Sequence, residues 1–76
     1  MKKLVEVITK SLVDHPDEVV VTEVEKEDEI IIELKVGPSD MGKVIGRQGR
    51  IAKAIRTVVK AASSNSPKRV VVDILQ

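Results

Sequence analysis

The sequence contains no cysteine and no aromatic residue. Without cysteine, neither a disulfide framework nor a thiolate metal site can stabilise the fold. Without Phe, Tyr or Trp, the chain has none of the platforms on which nucleic-acid bases stack in many single-strand binders. Any contact with nucleic acid would therefore depend on phosphate contacts, aliphatic surface and polar groups.

Long hydrophobic runs are absent too, and no stretch approaches the ~20 apolar residues that span a bilayer. The N-terminal apolar run is interrupted by Glu6 and Lys10, and no small-residue cleavage site follows it. We expect a cytoplasmic protein with no membrane partner. Its 76 residues predict a single domain over residues 1–76. A chain of this length buries only about 60% of its unfolded surface and leaves little room for a deep enzyme cleft.

The two halves of the chain differ in charge. Residues 1–39 contain five Lys/Arg and ten Asp/Glu, which gives −5, whereas residues 40–76 contain eight Lys/Arg and two Asp, which gives +6. Such asymmetry favours a polyanion bound by one part of the molecule. Two ordinary solvated faces would give the same pattern.

Hydrophobic periodicity predicts six elements. In the first helix Leu4, Val5, Ile8 and Leu12 form the apolar face, and Thr9 lies on the polar side. Pro16 ends this region because proline disfavours helical geometry at the residue before it. The predicted elements are a helix over Lys3–Val13, strands over Val19–Val24 and Glu29–Val36, a short helix capped by Ser39 or Asp40 and ending near Ile45, a helix over Arg50–Ala62, and a strand over Arg69–Leu75.

The order helix, strand, strand, helix, helix, strand predicts the topology. The first two strands are close enough in sequence for an antiparallel hairpin. The two helices between the second and third strands are long enough for a crossover, so those strands are expected to be parallel neighbours. The prediction is an α+β fold, a two-layer sandwich in which helices cover one face of a three-stranded mixed sheet.

A glycine-bracketed turn joins the last two helices. Gly46, Arg47, Gln48 and Gly49 follow Val44-Ile45 and precede Arg50. Glycine permits a tight turn and a close approach by another backbone. The helix that begins just after the turn adds its N-terminal dipole and free N–H groups, which favour an anion such as phosphate. We expect the N–H groups of the turn to point outward, although a bare G-x-x-G often marks only a helix cap.

The motif Val-Ile-Gly-x-x-Gly-Arg, followed by core positions Ala52, Ile55 and Val59, resembles the KH domain, and nearly the whole chain takes part in the resemblance. The extra helix and strand before the shared core resemble the type II arrangement, αββααβ. The chain is most similar to the small single-domain bacterial KH proteins of the KhpA type, which bind RNA.

The resemblance implies a function for the turn. In KH domains the G-x-x-G loop clamps the backbone of about four nucleotides of single-stranded RNA, and the bases lie in a groove between helices and a sheet edge. The resemblance also implies low sequence specificity and a role as an RNA chaperone or post-transcriptional regulator. Gln48 departs from the lysine or glycine of many KH domains, which lowers the charge of the loop. The RNA-binding residues implied are Gly46, Arg47, Gln48, Gly49, Gly42, Lys43, Ile45, Arg50 and Lys53, with Lys68 and Arg69 at the far side of the groove.

The last helix has an apolar arc of roughly 180°, wider than the ~100° of an ordinary surface helix. Ala52, Ile55, Val59 and Ala62 are expected to face the sheet. A generous core would explain the remainder, but the resemblance also favours a homodimer, or a complex with a larger KH-containing RNA-binding protein. The predicted dimer seam is Ile51, Ala54 and Val58. Lys53, Arg56 and Lys60 occupy the polar side, where we assign Lys53 to RNA and Lys60 to solvent.

No catalytic, metal or cofactor site is predicted. The single histidine, His15, has no nucleophile or set of ligands patterned around it, and no pair of carboxylates is spaced for acid–base catalysis. The alternatives to an RNA binder are a single-stranded DNA binder and a protein-interaction adaptor whose turn is purely structural. A helix-turn-helix reader of duplex DNA fits poorly, because the second helix begins at a glycine and uses its apolar face in packing.

Overall fold

The computed structural model describes residues 1–46 and 49–75. The element order is the expected one, with a short 3₁₀ helix in addition. The elements are α1 (Lys2–Leu12), the 3₁₀ helix (Pro16–Glu18), β1 (Val20–Glu25), β2 (Glu29–Lys35), α2 (Pro38–Ile45), α3 (Arg50–Ala62) and β3 (Arg69–Ile74).

The sheet has the order β1-β2-β3. β1 and β2 form an antiparallel hairpin with Val21 opposite Leu34, whereas β2 and β3 are parallel with Ile32 opposite Val72. The predicted topology is therefore confirmed, with β2 at the centre. Ile32 and Leu34 of β2 are fully buried and, two residues apart, lie on the same face of the sheet, which is therefore the buried face. The fold is the predicted α+β arrangement with a three-stranded mixed sheet.

The core lies between that face of the sheet and the three helices. Its fully buried side chains are aliphatic, apart from Thr9 and Asp40: Ile32, Leu34, Ile55, Val5, Val44 and Val59. From α3, the predicted Ala52, Ile55 and Val59 are buried, but the prediction for Ala62 is wrong. Ala62 is exposed because it is the final residue of the helix, beyond Val59, the last buried position.

The prediction that Thr9 lies on the polar side of α1 is wrong. It was placed on the polar side, yet its side chain is 0% exposed and its hydroxyl has no hydrogen-bond partner among the described residues. Thr9 lies one helical turn after Val5, so geometry places it on the buried face whatever its chemistry. Leu12, predicted on the apolar face of this helix, is exposed at the helix end.

The prediction that Ser39 or Asp40 caps α2 is wrong. Gly37 is the N-cap and Pro38 the first helical residue, a position where the missing N–H of proline costs nothing. Neither Ser39 nor Asp40 caps the helix through its side chain. The Asp40 carboxylate turns instead into the core and accepts the backbone N–H groups of Asp14 at 3.0 Å and His15 at 2.9 Å.

Candidate functional site

The glycine turn begins at the C-terminus of α2 and ends at the N-terminus of α3. A Cβ on Gly46 would collide with the carbonyl oxygen of Gly42. Gly49 has φ 66°, in the left-handed region that glycine adopts without strain. Both glycines are therefore required by the local backbone. Arg47 and Gln48, the predicted central pair of the clamp, lie outside the described residues.

The expectation that the turn's N–H groups are free is wrong for its two glycines. The N–H of Gly46 donates to the carbonyl of Gly42 at 2.7 Å, and that of Gly49 donates to the carbonyl of Gly46 at 2.8 Å. These bonds close the turn and fix the direction in which α3 begins. Any donor that this segment offers to an anion must therefore come from other groups.

The N-terminus of α3 has the features of such a donor. Its N-cap is Gly49, which has no side chain to accept a hydrogen bond from the first helical N–H groups. The first turn contains no acidic residue and begins with the exposed Arg50. No acidic side chain of this first turn opposes the positive end of the helix dipole, which stabilises an anion.

A groove of about 820 Å³ runs between α3 and β3. Its walls carry cations from α3 and the strand's start, and its floor includes the aliphatic side chains of Val59, Val70 and Val72. β3 is an edge strand, so its outer N–H and C=O groups have no strand partner in the described chain. The polar and basic lining residues are Arg56, Lys60, Ser63, Ser64, Ser66, Lys68 and Arg69.

The sequence did not predict that Arg56 and Lys60 line this groove. Both are exposed and both line the groove, although Lys60 had been assigned to bulk solvent. Their spacing of four residues already placed them on one helix face. What the sequence lacked was the direction of that face, which is fixed by the burial of Ala52, Ile55 and Val59 against the sheet.

Three other cations of the basic half are paired with acids of the acidic half. Lys43 contacts Asp14 at 3.2 Å. The salt bridges at the far end of the groove are Lys68 with Glu25 at 2.7 Å and Arg69 with Glu29 at 3.1 Å. The hydrogen bond from Lys68, together with its charge, lowers the pKa of Glu25 below its ordinary value. These pairs are exposed on at least one side, so an incoming anion can compete for the cations.

Asp40 fixes α2 against the loop that follows α1. Burial alone would raise the pKa of this carboxyl group, but the N–H groups of Asp14 and His15, helped by the charges of His15 and Lys43, lower it below its ordinary value. Asp40 is 1% exposed. A carboxylate held by two N–H groups orients α2, and α2 leads directly into the glycine turn.

The outer face of α3 holds the predicted seam. Ala54 and Val58 are exposed, Val58 by 37%, whereas Ile51 is half-buried against the core. Ala54 and Val58 line a shallow depression of about 430 Å³ together with Arg50, Lys53 and Thr57. The structure therefore brings two predicted RNA contacts, Arg50 and Lys53, next to the seam rather than into the larger groove.

The predicted contacts on α2 lie near the turn. Gly42, Lys43 and Ile45 are all exposed, with Ile45 43% exposed.

Within residues 1–46 and 49–75, no group of His, Cys, Asp or Glu is arranged to hold a metal ion. None of the helices in the same residues has both the length and the apolar character needed to cross a membrane.

Comparison with known proteins identifies the family. Residues 2–74 match the family described as KhpA/KhpB, KH domain. The chain is 69% identical over 75 residues to a Clostridium acetobutylicum protein named RNA-binding protein KhpA, with 99% of this chain and 100% of the relative covered. A protein of the same name from Clostridium perfringens is 68% identical, with 99% of this chain and 100% of the relative covered. Another from Aquifex aeolicus is 51% identical, with 100% of this chain and 96% of the relative covered. No solved structure matched the chain. The chain therefore belongs to the KhpA/KhpB family of KH-domain proteins.

Proposed function

We propose that this protein is a non-enzymatic binder of single-stranded RNA, acting in the cytoplasm. The observation that carries the proposal is the N-terminus of α3, which follows the glycine turn directly, has no side-chain cap and begins with the exposed Arg50. The cationic groove between α3 and β3 lies farther along the same helix, from Arg56 onward. Relatives that bear the name RNA-binding protein KhpA support it.

In this proposal the turn holds the RNA backbone. A phosphate lies at the N-terminus of α3, where Arg50 and the helix dipole stabilise its charge. Arg47 and Gln48 contribute from the turn itself. About four nucleotides are held, as is usual for a KH loop.

The bases enter the groove. Because the protein has no aromatic residue, they rest on aliphatic side chains such as Val59 and Val70, and the free edge of β3 offers backbone donors and acceptors. Aliphatic contacts discriminate weakly between bases, so the protein has low sequence specificity. Low specificity suits a general RNA chaperone or post-transcriptional regulator. A single clamp of this kind gives dissociation constants of about micromolar.

The test is to change Arg47 and Gln48 both to Asp and to retain both glycines. Binding of a fluorescein-labelled single-stranded RNA is followed by anisotropy, with circular dichroism as the folding control. We expect a folded protein whose affinity falls at least about tenfold, since two carboxylates oppose the phosphate. The matched control changes Lys2 and Ser11 to Asp, which alters the net charge equally on exposed positions of α1.

The outcomes separate the alternatives. Undiminished RNA affinity in the Arg47/Gln48 variant would contradict the clamp. Equal competition by a DNA oligonucleotide of matched sequence would favour a general single-strand binder. Absence of binding by the unmodified protein would favour the protein-interaction adaptor.

The exposed apolar face of α3 favours a homodimer through Ile51, Ala54 and Val58. A complex with a larger KH-containing RNA-binding protein is the other assembly that we propose. Either assembly raises the fraction of RNA that is bound, because a second clamp binds the same RNA at high effective concentration. Replacing Val58 with Asp should convert a dimer into a folded monomer in sedimentation velocity. Thr22→Asp, on the exposed face of the sheet, is the control, and an unchanged mass for Val58→Asp contradicts the seam.

A further inference from the structure

β1 is an edge strand with one unpaired side. In the sheet order β1-β2-β3 it bonds to β2 alone, and within residues 1–46 and 49–75 no other element hydrogen-bonds to its outer side. An edge strand presents a row of free N–H and C=O groups, to which an extended segment of another chain can bond. This edge lies on the opposite side of the sheet from β3 and its groove, so it is separate from the proposed RNA site.

The β1–β2 hairpin shows which backbone groups lie on this free edge. The N–H of Lys26 donates to the carbonyl of Glu29 at 2.7 Å, and the register of the hairpin places these two residues opposite each other. Opposite residues in antiparallel strands alternate between pairs that exchange hydrogen bonds and pairs that do not. Counting back from Lys26, every second residue of β1 therefore bonds to β2. The residues left with outward N–H and C=O groups are Val21, Glu23 and Glu25.

This free edge has few of the features that keep edge strands from pairing. Proteins commonly block such edges with lysine, proline or a bulge. The sequence of β1, Val-Val-Thr-Glu-Val-Glu, contains neither residue, and its register with β2 has no bulge. Its β-branched residues favour extended structure, and Val20 and Val24 are 55% and 37% exposed. The edge can therefore accept another strand of suitable charge.

Charge determines which kind of strand is suitable. Residues 17–29 contain seven Asp/Glu and one Lys, which gives −6. Two of these acids are in salt bridges, Glu25 with Lys68 and Glu29 with Arg69, so the segment remains strongly acidic. A second copy of β1 would bring the same negative charge to the edge, and RNA is itself a polyanion, so both are repelled. A basic segment is the complementary occupant.

We propose that the outer edge of β1 is a docking site for a basic, extended segment of a partner protein, which adds to the sheet as an antiparallel strand. Directly opposite residues of such strands carry their side chains on the same face of the sheet. Basic residues of the partner therefore lie opposite Glu23 and Glu25. Between them, β-branched residues lie beside Val20, Thr22 and Val24. The docking segment thus alternates lysine or arginine with valine, isoleucine or threonine.

The first test uses the unmodified protein and two short peptides of identical composition. Both alternate lysine and valine in equal numbers, but one is N-methylated at its lysines and the other at its valines. In the proposed pairing the lysine N–H groups point toward β1, so only methylation at lysine removes bonds. Binding is followed by amide chemical shifts of ¹⁵N-labelled protein. We expect the valine-methylated peptide to shift Val21, Glu23 and Glu25, and the lysine-methylated peptide to bind at least about tenfold more weakly.

The second test changes the protein at Glu23. Glu23→Ala retains the outward N–H, whereas Glu23→Pro removes it without affecting a bond to β2. Both changes remove the same charge, so their difference isolates the backbone bond. We expect Glu23→Pro to bind the valine-methylated peptide at least about fivefold more weakly than Glu23→Ala. Circular dichroism controls for folding, and RNA affinity should be the same in both variants. If Glu23→Pro does not fold, the peptide comparison decides on its own.

Several outcomes would overturn the inference. Equal binding of the two peptides would mean that the acidic surface attracts cations without strand pairing. Shifts on α3 or β3 instead of β1, or no binding of the valine-methylated peptide, would also overturn it. Hydrogen exchange that slows at Val21, Glu23 and Glu25 as the protein alone is concentrated would identify the occupant as a second copy. None of these results bears on RNA binding, which has its own test at the glycine turn.

Discussion

The acidic half of the chain, residues 1–39, and the basic half, residues 40–76, use their charges differently. Among the described residues, three salt bridges join acids of the first half to cations of the second: Asp14 to Lys43, Glu25 to Lys68, and Glu29 to Arg69. No such partner is found in the described chain for the four cations of α3, namely Arg50, Lys53, Arg56 and Lys60. The net charge of the basic half therefore overstates its unpaired charge, and among the described cations of that half the unpaired ones all lie on α3.

This difference gives the halves separate roles. The acidic half supplies α1, β1 and β2, which complete the core and neutralise the ends of the basic half. The basic half supplies the turn, the helix and the edge strand that form the groove. Changes in the first half should alter stability with little effect on RNA affinity, and changes on α3 should do the reverse.

The largest effect is expected from reversing the charge of the groove wall. Changing Arg56 and Lys60 both to Glu should weaken RNA binding about 30-fold and reduce its dependence on salt, because phosphate contacts are replaced by repulsion. The control reverses Lys2 and Lys3, two exposed cations of α1, which should change affinity less than about twofold. Equal losses in the two variants, measured by anisotropy titrations from low to high salt, would show that only net charge matters.

A loss of stability is expected for Asp40→Asn. The amide group can present only one acceptor to the two N–H groups of Asp14 and His15, so we expect the melting temperature to fall by about 5–10 °C at pH 7. Because the pKa of folded Asp40 is lowered, its contribution is present above its ordinary value near 3.8 and is lost as the pH falls through the folded value. The stability difference between variant and unmodified protein should therefore shrink below about pH 4. A difference independent of pH down to 2.5 would contradict a role for the charge.

A gain of stability is expected for Thr9→Val. The buried hydroxyl has no partner among the described residues, and valine has nearly the same shape, so the free energy of unfolding should rise by about 1 kcal/mol. RNA affinity should not change, because Thr9 lies inside the acidic half. Urea denaturation measures the first quantity and anisotropy the second. A loss of stability would mean that the hydroxyl has a partner after all.

The smallest effect is expected for Asp14→Asn. This change releases Lys43 from an exposed salt bridge and should strengthen RNA binding about twofold. Asp17→Asn alters the net charge equally, and Asp17 is exposed in the 3₁₀ helix without a salt bridge among the described residues. If the two variants bind alike, the Lys43 pairing has no influence beyond the overall charge.

The sequence predicted the architecture because local signals agreed with one another. The bounds of α3, Arg50–Ala62, were correct, since the glycine before it and the serine-rich loop after it both stop a helix. The alternation in β2 and the length of the crossover were enough for the strand order. The prediction for Thr9 was wrong because its residue type argued for the polar face, and that for Asp40 because its residue type argued for a helix cap. Their positions in the packed helices place both side chains inside.

Less of the groove than of the fold could be predicted from the sequence. The turn is local and could be recognised, but Arg56 and Lys60 face β3 only because α3 packs with one particular side on the sheet. The internal bonds of Gly46 and Gly49 also depend on backbone geometry that the motif does not specify. Tertiary packing, not composition, determines which cations have no salt-bridge partner among the described residues.

The most direct test of the central claim is a titration of ¹⁵N-labelled protein with a short single-stranded RNA, followed by amide chemical shifts. Binding at the turn and groove predicts that the largest shifts fall on residues 46–53 and on residues 56–72, with little change in α1 and β1. Shifts concentrated on α1 and the β1–β2 hairpin, with the glycine turn unaffected, would contradict it.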